Sequence, residues 1–89
     1  MKIKENFALR QVAGTWVVLP LGTATLDFNG MLTLNESGLM LWHLLEKGSD
    51  TESLATALTD EYDVTYEQAL ADVREFVEKL NRAGCMEMQ

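Results

Sequence analysis

Apolar positions follow a two-residue period near the start of the chain, which is typical of strands. Phe7–Val12 and Thr15–Leu19 fit this pattern, and the two residues at positions 13–14, alanine and glycine, predict a tight turn between them. Such a hairpin places four apolar side chains on the face that we expect to meet the rest of the protein. They are Phe7, Leu9, Trp16 and Val18.

A second hairpin is predicted by an Asn-Gly pair at positions 29–30, which accepts the positive φ angles of a type I′ turn. Its arms are 26–28 and Met31–Leu34. In that hairpin the N–H of Thr33 points to the first arm, and the N–H of Leu32 points away from it. We therefore expect the Leu32 amide to face whatever lies beyond the strand.

Helical spacing begins at Asn35, which is a favourable N-cap residue, and Gly48 is expected to end this helix in the left-handed conformation. The buried face is predicted from the 3.6-residue period. It consists of Gly38, Leu41, Trp42 and Leu45.

Two further helices are predicted by capping boxes that begin at Ser49 and Thr65. The third helix is expected to end at Gly84 and to be followed by a short terminal strand or docked tail over Cys85–Met88. The fold class is therefore α+β. We expect a winged helix-turn-helix-like architecture, a small antiparallel N-terminal sheet followed by three helices, in one domain over residues 1–89.

Charge is distributed unevenly along the chain, whose net charge is −7. Acidic and basic residues balance over residues 1–49, so the whole excess lies in residues 50–89, which form the second and third predicted helices. A winged-helix regulator binds duplex DNA largely through Lys and Arg. The acidic helical half opposes that encounter, so DNA binding is the less favoured alternative.

Cellular location is predicted from what the sequence lacks. The single cysteine, Cys85, cannot form an intramolecular disulfide, and no apolar run approaches the roughly 20 residues of a membrane span. The first residues do not resemble a signal peptide. These features predict a cytoplasmic protein that does not enter the membrane.

Reactive residues do not form a recognisable catalytic or metal-binding pattern. Each glycine is isolated, so no phosphate-binding loop is predicted. His43 and Cys85 are too few to bind a metal ion, and we expect His43 to be exposed and Cys85 to be a buried apolar residue. We therefore predict that the protein is not an enzyme and has neither a cofactor nor a metal.

Several short motifs follow one another in a defined order from the second arm of the second predicted hairpin to the last helix. A strand ends in Leu-Asn at 34–35 and is followed by Glu-Ser-Gly at 36–38 and a helix rich in Leu and Trp. Glu-Tyr-Asp-Val follows at 61–64, and Asp72-Val73 then precedes Phe76, Leu80 and Gly84. This order resembles the PqqD-like family, which overlaps the RiPP recognition elements.

This resemblance implies a peptide chaperone that binds the leader segment of a ribosomally made precursor peptide. Such proteins present the peptide to a modifying enzyme, often a radical S-adenosylmethionine (SAM) enzyme. The leader adds as a strand to the third strand of the sheet, beside the last helix. Carried over to this sequence, the peptide-binding residues are Met31, Leu32, Thr33, Leu34, Ala69, Asp72, Val73, Phe76 and Lys79.

Three questions stay open at the level of sequence. A scaffold subunit that only holds a modifying enzyme together is a further alternative to peptide binding. The identity of the precursor peptide, including any link to the quinone pathway, is not encoded in these motifs. The oligomeric state is likewise open.

Overall fold

The sheet is three-stranded and antiparallel in the computed structural model, which describes residues 1–22 and 32–87. Its strands are β1 (Phe7–Val12), β2 (Thr15–Pro20) and β3 (Leu32–Leu34), in the spatial order β1-β2-β3. The first hairpin is confirmed. At its turn Ala13 and Gly14 have φ angles of 51° and 82°, as a two-residue turn between twisted strands requires.

Three helices follow the sheet and confirm the α+β class. They are α1 (Glu36–Lys47), α2 (Thr51–Glu61) and α3 (Tyr66–Ala83). Short connections between them leave little freedom in how they pack. The helical layer covers the face of the sheet that carries Leu9, Val18 and the leucines of β3.

Side-chain caps explain where each helix begins. The side chains of Asn35 and Thr65 accept the N–H of the residue three positions later, at 2.8 Å and 3.1 Å, so both predicted caps are confirmed. The cap of α2 is Asp50 and not Ser49. Ser49 uses its own N–H to donate to the carbonyl of Met1, and this distant contact is invisible to a local pattern.

Asp50 is the N-cap of α2, in the place that was predicted for Ser49. One oxygen of its carboxylate accepts the N–H of Ser53 at 2.7 Å. This backbone hydrogen bond lowers the pKa of the Asp50 carboxyl below its ordinary value of 3.8, because the bond favours the ionised form. The charge also lies at the positive end of the helix dipole.

Glycines end two of the helices by different conformations. Gly84 follows α3 with φ 82° and ψ 22°, which is the left-handed conformation predicted for it. Gly48 follows α1 with φ 98° and ψ 132°. Its φ is positive, as expected, but its ψ places it outside the left-handed helical region, so that part of the prediction was wrong.

The core lies between the sheet and the helices. All four residues of the predicted face of α1 are buried, and Trp42 is 1% exposed. The Trp42 ring meets Phe7 of β1 edge to face, with 6.0 Å between the ring centroids. The buried hydrophobic residues are Ile3, Val18, Leu32, Leu34, Leu41, Trp42, Leu45, Leu54, Ala55, Leu58, Ala69, Val73, Leu80, Ala83, Cys85 and Met86.

Residues 1–4 run between the end of α1 and residues 85–87, and we call this set of backbone contacts the terminal seam. Ile3 forms an antiparallel bridge with Met86 and donates its N–H to the carbonyl of Leu45 at 3.0 Å. Lys4 donates its N–H to the carbonyl of Cys85 at 2.8 Å. The tail predicted after Gly84 therefore docks as a short paired segment.

Candidate functional site

The register of the β1–β2 hairpin determines which way the backbone of each strand points. Its two-residue turn at positions 13–14 is flanked by Val12 and Thr15, which such a turn makes a hydrogen-bonded pair. Hydrogen-bonded and non-hydrogen-bonded pairs alternate along an antiparallel ladder. Arg10 and Val17 are therefore hydrogen-bonded to each other, and the N–H and C=O of Val17 point toward β1.

The same alternation can be followed into β3. Just past the hairpin's open end Leu21 donates its N–H to the carbonyl of Asn6 at 2.8 Å, where the alternation requires a hydrogen bond. Val18 therefore points its N–H and C=O away from β1 and toward its partner Leu32 in β3. One residue later, Thr33 directs its N–H and C=O to the opposite edge of the strand.

The outward-facing backbone of β3 thus belongs to Thr33, and the prediction that assigned it to Leu32 was wrong. Pairing with β2 determines which residues of β3 direct their backbone groups outward. This pairing is a distant contact, so the Asn-Gly pair could not predict it. The first arm and the turn of the predicted second hairpin lie outside the described residues, as does Met31. Among the strands that the structure describes, none lies beyond Thr33, and we call its outward N–H and C=O the β3 edge.

A groove of about 890 Å³ lies between the β3 edge and α3, and we call it the β3–α3 groove. Its buried and half-buried apolar residues form a base, and its polar or exposed residues form the margins. The base consists of Leu34, Gly38, Leu41, Leu58 and Phe76. The margins consist of Thr33, Asn35, Glu36, Ser37, Tyr62, Val64, Asp72, Glu75 and Lys79.

One face of α3 forms a complete wall of this groove. Glu75, Phe76 and Lys79 follow Asp72 by three, four and seven residues, which places all four on the same side of the helix. The aromatic ring of Phe76 lies among three charged groups. The wall can therefore contact an apolar side chain and charged side chains of one extended ligand.

Gly38 determines how closely the first turn of α1 approaches Phe76. A Cβ atom at this position would lie 3.4 Å from Cε1 of Phe76 and 3.1 Å from Oδ1 of Asn35. The latter atom accepts the N–H of Gly38 as the helix cap. The absence of a side chain thus allows the Phe76 ring and the helix cap to meet at the base of the groove.

The predicted peptide-binding residues divide into two groups in the structure. Five of them line the groove, whereas Leu32, Ala69 and Val73 are buried in the core beneath it. The family resemblance supplied the predicted residues of α3, and two of them, Ala69 and Val73, belong to the core. The five lining residues are Thr33, Leu34, Asp72, Phe76 and Lys79.

Sequence reasoning missed several residues of the groove, some of them outside β3 and α3. Tyr62 and Val64, each 37% exposed, lie in the connection between α2 and α3, and Glu75 lies on α3 itself. A signal was present in the sequence, because two large apolar residues in a short polar connection are unusual unless something covers them. Glu75 follows from the same helical face as Asp72 and Lys79.

Reactive groups elsewhere do not assemble into a second site. Burial raises the pKa of the Cys85 thiol to about 11, and the side chain is fully buried, as predicted. His43 is exposed and its Nδ1 lies 2.8 Å from Oε1 of Glu46. Over residues 1–22 and 32–87, no three metal-ligating side chains come together. In the same ranges, no helix has the length and apolar character needed to cross a membrane.

Comparisons with known proteins place the groove in a wider context. A solved structure of TbiB1 in complex with the TbiA(beta) leader peptide is similar, with a TM-score of 0.73 and 27% identity, covering 100% of this chain and 99% of that chain. A lasso peptide synthetase B1 complexed with the leader peptide has a TM-score of 0.72, 21% identity and coverage of 94% and 93%. At that identity it supports the fold alone. None of the curated protein sequences matches the chain.

The family model described as "Coenzyme PQQ synthesis protein D (PqqD)" matches residues 15–86. That range includes β2, β3, all three helices and every lining residue of the β3–α3 groove. The resemblance drawn from the motifs is thereby confirmed, and the chain belongs to the PqqD family.

Proposed function

We propose that this protein is a peptide chaperone that binds the leader segment of a ribosomally made precursor peptide and presents the peptide to a modifying enzyme. The observation that carries the proposal is the β3 edge, whose backbone groups open into an apolar groove. TbiB1, which has the same fold, is described in complex with a leader peptide, which supports the same function.

Strand addition is the binding mode that suits this edge. An extended peptide beside β3 can donate to the C=O of Thr33 and accept from its N–H, so that the sheet gains a fourth strand. Every second side chain of that peptide then points toward the helices and enters the groove. The backbone hydrogen bonds align the peptide, and the groove selects its sequence.

The contacting residues follow from this arrangement. Thr33 supplies the backbone contacts, Leu34 and Phe76 the apolar contacts, and Asp72 and Lys79 the charged ones. The other residues predicted for the site support the groove from within or, for Met31, lie outside the described residues. We add Tyr62, Val64 and Glu75 to the peptide-contacting set.

A modifying enzyme is the second partner in this proposal. The family resemblance favours a radical SAM enzyme, and the name of one structural neighbour places that neighbour in lasso peptide synthesis. Co-purification of the protein with each enzyme class, in the presence and absence of the leader, distinguishes the two. We expect the radical SAM enzyme to be retained.

The strand-addition mode is tested by replacing single backbone amides with esters. The probe is the fluorescently labelled leader of the precursor peptide encoded beside the gene. An ester at Thr33 removes the outward N–H, and we expect peptide affinity to fall by about 1 kcal/mol or more with little change in melting temperature. Fluorescence anisotropy and thermal melts measure the two quantities.

The matched control is the same replacement at Leu32. Its N–H points to β2, so the ester should lower the free energy of unfolding by about 1 kcal/mol and change the affinity of the folded protein little. Equal effects of the two esters on affinity would refute strand addition at this edge.

The rival functions give different outcomes in two simple assays. A DNA-binding regulator retains labelled duplex DNA at about 150 mM salt, whereas we expect none to be retained by a protein whose whole net negative charge lies in residues 50–89. A scaffold subunit binds the modifying enzyme with no affinity for the leader. Leader binding that is weakened by the Thr33 ester separates the chaperone from both.

A further inference from the structure

We propose that the β3–α3 groove selects a leader strand with a basic side chain two positions away from an apolar one, both facing the groove. This inference rests on the proposed function and specifies the chemistry of its peptide. The margins of the groove carry three carboxylates, on Glu36, Asp72 and Glu75, against the single ammonium group of Lys79. The groove is therefore acidic at its margins and apolar at its base.

Two of these carboxylates have no evident structural purpose. Glu36 lies in the first turn of α1, where the helix dipole stabilises an acid. Asp72 and Glu75 lie in the middle of α3, far from either end of that helix. Their side chains are exposed toward the groove, where a ligand can approach them.

Among residues 1–22 and 32–87 neither of these two acids forms an ion pair, although Lys79 follows Glu75 by one helical turn on the same face. Within the described residues the ion pairs are His43 with Glu46 and Arg82 with Glu78, and neither pair lines the groove. Asp72 accepts a hydrogen bond only from the neutral side-chain amide of Gln68, at 2.9 Å. A basic side chain of the ligand would supply the missing positive charge.

The distance between Asp72 and Phe76 along α3 is close to the distance between successive side chains on one face of a strand. Asp72 and Phe76 are one helical turn apart, or roughly 6 Å along α3 at about 1.5 Å per residue. Side chains on one face of a strand repeat at about 6.8 Å, two residues of about 3.4 Å each. One groove-facing side chain of the leader can therefore meet Asp72 and Glu75 while the next meets Phe76.

A display selection tests this pattern without knowledge of the natural leader. A phage library of random peptides about 12 residues long is selected against the wild-type protein, against D72K/E75K, and against E46K/D60K. The control variant reverses two exposed acids that lie outside the groove, so its net charge changes equally. Thermal melts establish that each variant is folded.

We expect the wild-type and E46K/D60K selections to enrich Arg or Lys two positions from a large apolar residue. The D72K/E75K selection should lose this preference and gain Asp or Glu at the same place. A synthetic peptide from the wild-type selection should bind D72K/E75K about 10-fold more weakly, a difference that narrows at high salt because exposed charges are screened. Binding to the control variant should change by less than about 2-fold.

The outcomes separate this inference from the proposed function. If D72K/E75K and wild-type protein enrich the same peptides, and those peptides lose binding when the Thr33 amide is replaced by an ester, strand addition stands and the charge pattern is wrong. If no peptide is enriched, or the enriched peptides ignore the Thr33 ester, both proposals are wrong.

Discussion

The terminal seam and the β3 edge are both places where backbone amides reach the margin of the protein, and they are treated in opposite ways. At the seam, the N–H groups of Ile3 and Lys4 donate to the carbonyls of Leu45 and Cys85 at 3.0 Å and 2.8 Å. At the β3 edge, the N–H of Thr33 points into an open groove. One margin is closed by other parts of the chain, whereas the structure describes no strand beyond Thr33 at the other.

The paired backbone of the seam contributes to the stability of this small domain, whereas the β3 edge lacks such pairing among the described strands. An unpaired strand edge is a liability, because any extended chain can pair with it. Here the edge is short, and the acids of the adjacent groove discourage like-charged chains. Substitutions at the seam should therefore change the free energy of unfolding, and substitutions at the edge should change peptide affinity.

The largest expected effect follows substitution of Trp42, which packs on Phe7 at the side of the protein that carries the seam. Trp42→Ala should lower the free energy of unfolding by about 3–5 kcal/mol, because a nearly fully buried indole leaves a cavity that closes only in part. Urea denaturation followed by circular dichroism measures this loss. A melting temperature within a few degrees of wild type would contradict the burial of Trp42.

A smaller loss is expected from Ile3→Ala, which weakens the seam without removing its backbone hydrogen bonds. The side chain is 3% exposed, and its truncation should cost about 2–3 kcal/mol, the lower part of the usual range, because a site near the surface can partly collapse. Peptide affinity of the folded fraction should not change. A loss of affinity at unchanged stability would show that the seam and the edge are coupled.

Alkaline pH should weaken the seam through Cys85. The folded state raises the pKa of this thiol from 9.0 to about 11, chiefly because burial penalises the thiolate. The stabilising contribution is complete below pH 9 and is lost as the pH rises toward about 11. Denaturation midpoints across this range measure the loss, and Cys85→Ala should show a flatter dependence because it has no thiol to ionise.

The smallest effect on stability is expected at Gly38, where the change should instead be seen in binding. In Gly38→Ala, the gain in helix propensity of roughly 1 kcal/mol offsets the crowding of Asn35 and Phe76. The melting temperature should therefore stay within a few degrees of wild type. The displaced Phe76 ring should weaken leader binding, which fluorescence anisotropy measures. An unchanged affinity would place the leader away from the base of the groove.

Features encoded by neighbouring residues were predicted well from the sequence. The hairpin turn at positions 13–14, the caps at Asn35 and Thr65, and the buried face of α1 each depend on a few adjacent positions. A resemblance carried by such motifs pointed to the region between β3 and the last helix, where the structure has a groove.

Features that depend on distant contacts were predicted poorly. Ser49 and Asp50 are both good caps, and in the structure Asp50 caps the helix while the backbone N–H of Ser49 bonds to the distant carbonyl of Met1. The outward amide of β3 depends on pairing with β2, and the groove-facing side of α3 depends on a rotation of the helix that no local pattern contains. Ala69 and Val73 were assigned to the site by the family resemblance, and both belong to the core.

The bridge between Ile3 and Met86 also has a consequence for the order of folding events. It joins residues separated by most of the sequence, and the entropy cost of closing a loop rises with loop length. The helices and the β1–β2 hairpin involve only local contacts, so they can form before this bridge closes. Folding should accordingly be slower than in a three-helix bundle of the same size, with closure of the bridge among the last steps.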